Sequence, residues 1–199
     1  MSTALAWEGS SGLPAEIASL FTNAEDAFLR DCQLAIAIPE YKVMLAGGSP
    51  ESQNDVFCLL SSESGLVSMM VESKVAEDFD VTIGAWKKRT SPAGVKARLD
   101  QIQTKIGLTG DIPEHIRYQL LHRTASAVIE AERFHARHAA MVVHSFATNQ
   151  NNDHFDDYEN FLNLYGVAAT RNKLTLLLQT GVHRLYTAWV TSPQDVTKR

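Results

Sequence analysis

Residues 65–75 constrain the fold of this chain more than any other stretch, because an apolar run there changes abruptly into charged side chains. The first part of the stretch is apolar or small and lacks helical spacing, which predicts a central β-strand covered on both faces. Side chains alternate across a strand, so Glu72 and Lys74 point to one face while Ser73 points to the other. Two opposite charges at the end of an apolar strand need a partner, solvent or a ligand to offset the cost of desolvation.

A second acid is available upstream in Asp55, which stands at the start of another apolar, β-rich run. The linker over residues 61–65 consists of Ser, Glu and Gly and predicts a hairpin turn. Strands joined by such a turn are antiparallel, and this pairing can bring Asp55 beside Glu72 and Lys74. The sequence therefore predicts a pair of carboxylates accompanied by a lysine, with an ordinary strand-end ion pair between Glu72 and Lys74 as the alternative.

The arrangement of Asp55 with Glu72, Ser73 and Lys74 resembles the PD-(D/E)xK, restriction-endonuclease-like superfamily. Asn54 stands where the superfamily name has a proline, which makes the motif less distinctive. More of the chain resembles an uncharacterised bacterial family with a domain of unknown function that is placed near this superfamily. The residues that carry this second resemblance are Ile38-Pro39-Glu40-Tyr41-Lys42-Val43, Gly47-Gly48, Asn54-Asp55, Val71-Glu72-Ser73-Lys74-Val75, Arg117-Tyr118-Gln119-Leu120-Leu121-His122-Arg123-Thr124-Ala125-Ser126-Ala127 and Val143-His144-Ser145-Phe146.

The superfamily resemblance implies a metal-dependent nuclease that hydrolyses phosphodiester bonds in DNA or another nucleic acid. In such a site Asp55 and Glu72 would hold Mg²⁺ or Mn²⁺ through hard oxygen ligands, together with the Ser73 backbone carbonyl. Lys74 would orient or activate water and stabilise the charge that develops on the phosphate. Gln119, on the helix that follows the Lys74 strand, would be a further catalytic residue.

The second hypothesis is a catalytically inactive nuclease-like fold that acts as a binding or assembly module, for example as a homo-oligomer. The net charge of -5 favours this hypothesis, because nucleic-acid binding relies on accumulated Lys and Arg. The two hypotheses differ in their metal chemistry. A nuclease would lose metal binding when Asp55 or Glu72 is replaced by Ala, whereas an assembly module would be indifferent to both substitutions.

Two further patterns each leave two interpretations open. A basic stretch predicts either a local nucleic-acid surface or a solvated helix face. Its members are Lys87, Lys88, Arg89, Lys96 and Arg98. A polar stripe at helical spacing either brings Gln119 and Arg123 toward the acidic site or faces solvent. Its members are Gln119, Arg123, Ser126 and Glu130.

A rival enzyme hypothesis is a zinc site. His135 and His138 are three residues apart on a predicted helix, and His144 or His122 would complete the ligand set. No HExxH motif or cysteine pair accompanies these histidines, so core or solvated histidines are the competing interpretation.

The length of 199 residues with 45% hydrophobic side chains predicts one domain over residues 1–199, with residues 1–12 as a mobile N-terminal segment. The sequence lacks both an apolar run of about 18 residues and a basic-then-apolar start, so neither a membrane span nor a signal peptide is predicted. The expected location is the cytoplasm, where Cys32 and Cys58 are expected to stay unpaired.

The predicted fold is α/β with a restriction-endonuclease-like core. It contains a mixed sheet, an antiparallel meander joined by a parallel strand after a helical crossover, and flanking helices. Strands are predicted at residues 40–46, 52–60, 65–75, 139–146 and 184–190, while residues 174–178 are ambiguous. Helices are predicted from Pro14, after an N-cap at Asn23, and over residues 82–88, 95–106, 113–136 and 156–162.

Overall fold

The computed structural model describes residue 7 and residues 12–48, 50–75, 77–147, 154–179 and 183–192. The predicted mobile segment, residues 1–12, lies outside the described residues except for Trp7 and Gly12. The elements in chain order are α1 (Ala15–Thr22), α2 (Ala27–Arg30), β1 (Gln33–Val43), β2 (Ser52–Ser62), β3 (Gly65–Lys74), α3 (Ile83–Lys87), α4 (Pro92–Ile106), α5 (Tyr118–Arg133), β4 (His138–Ser145), α6 (Phe155–Asn163), β5 (Thr175–Gln179) and β6 (Arg184–Thr191).

The strands form one six-stranded mixed sheet in the order β1-β2-β3-β4-β6-β5. The first three strands are an antiparallel meander, as predicted, and β4 returns parallel to β3 after the helical excursion. The sheet continues with β6 parallel to β4 and ends with β5 antiparallel to β6. The predicted mixed sheet flanked by helices is therefore confirmed.

Two apolar layers cover the sheet, and they explain why β3 reads as a nearly continuous apolar run. On one face Met70 of β3 packs with residues of α4 and α5, including Ile102 and Leu121. On the other face Val71 packs with residues of α1, including Ile17. Because β3 lies between other strands and has helices on both sides, alternate side chains of either parity are buried.

The first strand begins at Gln33, so the prediction of a strand over residues 40–46 placed its start wrongly. β1 is an edge strand, and most of its side chains are exposed, including Ile36 and Ile38. The residues before Pro39 therefore carry no alternation of buried and exposed side chains. The ambiguous residues 174–178 largely coincide with β5, the opposite edge of the sheet.

Helix ends also differ from the predictions for reasons visible in the backbone. Asp26, not Asn23, caps α2, because its Oδ1 accepts a hydrogen bond from the Phe28 N–H at 3.1 Å. The long helix α5 begins at Tyr118, because Arg117 is still extended and forms an isolated β-bridge with Thr82. The other predicted helices and strands agree with the structure to within about three residues at each end.

Arg98 is buried in α4 and contributes no positive charge to a surface, so the predicted basic stretch is broken at this position. Its guanidinium donates hydrogen bonds to the carbonyls of Ala46, Gly48 and Pro50, and to the Tyr118 hydroxyl. These contacts fix the loop between β1 and β2 against α4. The loop leads directly into Ser52, the first residue of β2.

Two neighbouring glycines of this loop are expected to differ in how much an alanine substitution destabilises the protein. Gly47 and Gly48 both have positive φ, +82° and +90°, so an alanine is strained at either position. A Cβ on Gly47 would also lie 2.5 Å from the Gly94 carbonyl oxygen, whereas a Cβ on Gly48 would have no atom within 4 Å. We expect Gly47→Ala to destabilise the protein by about 2 kcal/mol more than Gly48→Ala in urea unfolding. Equal losses would show that the loop moves away from α4 at no cost.

Candidate active site

Glu72 and Lys74 lie at the end of β3 on the face that α5 covers. They follow Met70 at alternate positions, so all three side chains point toward the same helix. The exposed fraction is 3% for Glu72 and 5% for Lys74. Lys74 Nζ lies 3.3 Å from Glu72 Oε1, so the acid-x-lysine pair is a buried ion pair.

Asp55 is brought beside this pair by the hairpin register. The last registered pair of β2 and β3 is Val56 with Val71, and one step further along the same register Asp55 comes opposite Glu72. The Ser73 N–H donates a hydrogen bond of 2.8 Å to Asp55 Oδ2. The N–H and C=O of one strand residue point to the same side of the strand, so the Ser73 carbonyl also points toward β2.

The pKa of the Asp55 carboxyl is shifted by its surroundings. Burial, followed by the neighbouring charge of Glu72, raises its pKa from 3.8 to about 6. The Ser73 N–H, Arg123 and Lys74 oppose the shift without cancelling it. Ionised Asp55 is therefore held close to a second carboxylate at a cost in stability.

Gln119 on the first turn of α5 joins Glu72 to Lys74. Its Nε2 donates to Glu72 Oε1 at 2.6 Å, and its Oε1 accepts from Lys74 Nζ at 3.0 Å. The same Oε1 accepts from the Asp80 N–H at 3.2 Å, so the amide orientation is fixed from both sides. The structure thus places Asp55, Glu72, Lys74 and Gln119 in one cluster, while their catalytic roles stay predictions.

Arg123 lies one turn further along α5 and pairs with the other oxygen of Glu72. Its Nε donates to Glu72 Oε2 at 2.7 Å, and 9% of its side chain is exposed. All four members of the polar stripe are buried, so its solvent-facing interpretation is wrong. Glu130, at the far end of the stripe, accepts a hydrogen bond of 3.0 Å from Tyr41 OH instead.

A buried network anchors Arg123 on the side away from Glu72, and none of its other members was predicted to support the site. Arg123 Nη1 donates to Ser52 Oγ at 3.2 Å, and Ser126 Oγ also donates to Ser52 Oγ at 2.9 Å. His122 Nδ1 lies 2.8 Å from the same Ser52 oxygen. Burial, followed by the charges of Arg123 and Arg98, lowers the pKa of His122 well below its usual range, so this imidazole is neutral.

The spacing of Gln119 and Arg123 is the one sequence signal that could have pointed to this network. Residues four apart on a helix share one face, so a partner found for Gln119 implies one for Arg123. Ser52 gave no such signal. Its participation depends on where the loop between β1 and β2 delivers the start of β2.

The histidines of the zinc hypothesis lie in separate surroundings. α5 ends at Arg133 and His138 opens β4, so the predicted helical spacing of His135 and His138 is wrong. His138 Nε2 lies 3.2 Å from Asp26, and His144 Nε2 lies 2.7 Å from Ser192 Oγ. Within the described ranges, no three side chains of the His, Cys, Asp and Glu types are grouped so that they could hold a metal ion.

The predicted magnesium set is smaller, two carboxylates and one carbonyl, and its donors fit that ion. Asp55 Oδ1 accepts no hydrogen bond from the described residues, and Glu72 Oε2 accepts only the one from Arg123. Each of these oxygens retains a lone pair, and the Ser73 carbonyl faces the same side. An all-oxygen set of this kind suits Mg²⁺ or Mn²⁺ better than Zn²⁺.

A protein family described as a domain of unknown function, DUF6946, matches residues 1–194 of the chain. No curated protein and no solved structure matches it. Among the helices that the structure describes, none has both the length and the apolar character that crossing a bilayer requires.

Proposed function

The chain belongs to the DUF6946 family, and we propose that it is a metal-dependent nuclease of the PD-(D/E)xK type with a restriction-endonuclease-like core. The observation that carries this proposal is the placement of Asp55 opposite Glu72, beside Lys74. Burial and a second acid raise the pKa of the Asp55 carboxyl to about 6, so at neutral pH this carboxyl does not stabilise the protein. Such groups are concentrated at functional sites, where a ligand makes use of the charge.

The topology is compatible with the proposed core. An antiparallel meander supplies Asp55 on its second strand and the acid-x-lysine pair on its third, and the helical excursion then leads to parallel β4. α5, within that excursion, lays Gln119 across the ends of these strands. This arrangement of elements supports the restriction-endonuclease-like interpretation of the mixed sheet.

Each side chain has a role that follows from its contacts. Asp55, Glu72 and the Ser73 carbonyl would hold the divalent cation, which supplies Lewis-acid polarisation of a phosphoryl oxygen when bound. Lys74 Nζ has three acceptors, and the longest contact, 3.4 Å to the Asp78 carbonyl, is the one that a phosphate oxygen would replace. Gln119 touches both Glu72 and Lys74, so we assign it a positioning role.

A specific observation favours the second candidate function, a nuclease-like module that binds or assembles without catalysis. Both oxygens of Glu72 already have partners within the protein, since Gln119 and Lys74 contact Oε1 and Arg123 contacts Oε2. The cluster is therefore internally paired, as a purely structural ion network would be. Location in the cytoplasm, binding to nucleic acid, a single domain over residues 1–199 and homo-oligomer formation stay predictions under either function.

Asp55→Asn is the substitution that tests the nuclease proposal, because asparagine can still accept from the Ser73 N–H while the charge is lost. We expect the wild type to bind Mn²⁺ in calorimetric titration and to cleave single-stranded or plasmid DNA. We expect Asp55→Asn to bind Mn²⁺ at least about tenfold more weakly, because one carboxylate ligand is lost, and to show no cleavage.

Asp100→Asn is the matched control for this test. It makes the same chemical change at an exposed residue of α4, where Asp100 pairs with Lys96 at 2.6 Å. We expect wild-type binding and cleavage in this variant. Absence of Mn²⁺ binding by the wild type, or equal binding by Asp55→Asn, would overturn the nuclease proposal and leave the binding module as the better account.

A further inference from the structure

Arg123 stands in an unusual position for a residue beside a metal ligand. In the proposed nuclease, Glu72 shares the cation with Asp55, yet Glu72 Oε2 is already 2.7 Å from Arg123 Nε. Both side chains are buried, so solvent does not screen this contact. A cation that approaches Glu72 therefore meets a fixed positive charge.

The charges of the cluster are balanced without any ligand. Asp55 and Glu72 supply two negative charges, and Lys74 and Arg123 supply two positive ones. His122, the remaining titratable group in contact with Arg123, is neutral, because burial and the positive charges near it lower its pKa. A divalent cation would add two positive charges to a buried neutral cluster, so one of the resident cations has to give up its contact with an acid.

Arg123 is the resident cation with the shorter contact to Glu72, at 2.7 Å against 3.3 Å for Lys74. It pairs directly with Glu72 Oε2, the carboxylate oxygen that has no other hydrogen-bond partner among the described residues. Lys74 contacts Glu72 through the opposite oxygen, Oε1, and is held there by Gln119 and the Asp78 carbonyl. Arg123 thus neutralises Glu72 at the oxygen that a metal would use.

Arg123 also has a second set of partners that can hold it after release. Its Nη1 donates to Ser52 Oγ and lies 3.4 Å from His122 Nδ1. These contacts do not involve Glu72, so the guanidinium can remain attached to α5 and β2 while Nε loses the carboxylate. The loss of one charge-assisted hydrogen bond is then the main change at Arg123.

We propose that Arg123 is a displaceable counter-ion that stands in for the divalent cation at Glu72, and that cation binding requires Arg123 to release Glu72. This inference rests on the proposed function, because it concerns the same cation site. It predicts that the wild-type protein binds divalent cations more weakly than its ligand set alone would allow.

The test compares Mn²⁺ binding by the wild type with Arg123→Gln and Arg123→Lys. Glutamine removes the charge but retains an amide donor. We expect the Arg123→Gln protein to bind Mn²⁺ at least about tenfold more tightly than the wild type, because a like charge no longer opposes the ion. Lysine retains the charge, and we expect its affinity to stay within about threefold of the wild type. Calorimetric titration gives the affinities, and the rise in unfolding temperature with added Mn²⁺ gives an independent readout.

Arg123→Met provides a second neutral variant if Arg123→Gln does not fold, and tighter Mn²⁺ binding is expected for it as well. If the wild type binds Mn²⁺ and the neutral variants bind it equally or more weakly, the role of Arg123 is overturned while the proposed nuclease stays in place. Absence of Mn²⁺ binding in all variants overturns both the counter-ion role and the nuclease proposal. Equal tightening in Arg123→Lys would also contradict the inference, because the effect would not depend on charge.

Discussion

Glu72→Gln is expected to lower the free energy of unfolding by about 3–5 kcal/mol, although it changes a single atom type and leaves the side-chain volume intact. Glu72 is the buried anion that Lys74 and Arg123 share, at 3.3 and 2.7 Å. Without it, two buried cations face only Asp55, whose carboxyl is itself partly protonated near pH 6. Removal of one partner from a buried ion network leaves its counter-charges unpaired, and this accounts for most of the loss.

Urea unfolding at pH 7 measures this loss, and the exposed pair of Lys105 with Glu132 provides the control. Glu132 Oε2 lies 2.5 Å from Lys105 Nζ, but 42% of the Glu132 side chain is exposed. Glu132→Gln is therefore expected to cost less than about 1 kcal/mol. If the two substitutions cost the same, the Glu72 network contributes no more than a surface ion pair, and the buried cluster is not what organises this end of the sheet.

This expected instability changes how the site should be tested. The substitution of Glu72 by alanine, the first choice from the sequence, removes a metal ligand and unpairs two buried cations at the same time. A loss of metal binding in that variant could then reflect unfolding alone. Asp55 is the better position, because its carboxyl is held by the Ser73 N–H and opposes folding as an anion.

The acidic pair could be predicted from the sequence because only short-range rules are involved. A short turn between two apolar runs fixes an antiparallel hairpin, and alternation along β3 places Glu72 and Lys74 on one face. Asp55 then follows from the register, which the apolar residues of both strands specify together. The parallel placement of β4 follows from the length of the helical excursion, since a parallel strand needs a long connection.

The buried polar contacts around the acidic pair could not be predicted in the same way, because they depend on how elements distant in sequence pack together. The stripe of α5 has polar residues on the side that meets β3, and the sequence alone does not show whether such a stripe faces solvent. Arg98 reads as part of a basic surface, yet the carbonyls of the loop after β1 turn it inward. Ser52 joins the network because of that same loop.

The burial of Arg98 and Arg123 also reduces the positive surface charge that is available to bind a nucleic acid. Both arginines count toward the positive charge that a nucleic acid would need, and both are used inside the protein. A nuclease with this composition would therefore rely on the bound cation for much of its attraction to phosphate. This makes the state of the acidic pair, and of Asp55 in particular, the decisive property of the site.

The stability of the wild type relative to Asp55→Asn is expected to fall by about 2–3 kcal/mol as the pH rises from 4 to 8. The carboxyl of Asp55 has a pKa of about 6 in the folded protein and an ordinary value of 3.8. Between these values the folded state binds the proton more tightly than the unfolded state does. The resulting stabilisation is present in full below the ordinary pKa and is lost as the pH rises through the folded pKa. Asparagine has no such proton, so its variant lacks this contribution.

Urea unfolding of both proteins at several pH values, in the absence of divalent cations, measures the difference between the two curves. The subtraction removes the titration of the other carboxyls and of the histidines, which both proteins share. The free energy of unfolding of the matched Asp100→Asn variant should change with pH as that of the wild type does, because Asp100 is exposed on α4. A constant difference between the wild type and Asp55→Asn across this range would mean that neither burial nor Glu72 raises the pKa of Asp55, and the main physical support for a functional acidic pair would be lost. A difference that grows between pH 4 and pH 6, and that Mn²⁺ reduces at pH 7, would show that a bound cation stabilises the ionised Asp55 carboxylate.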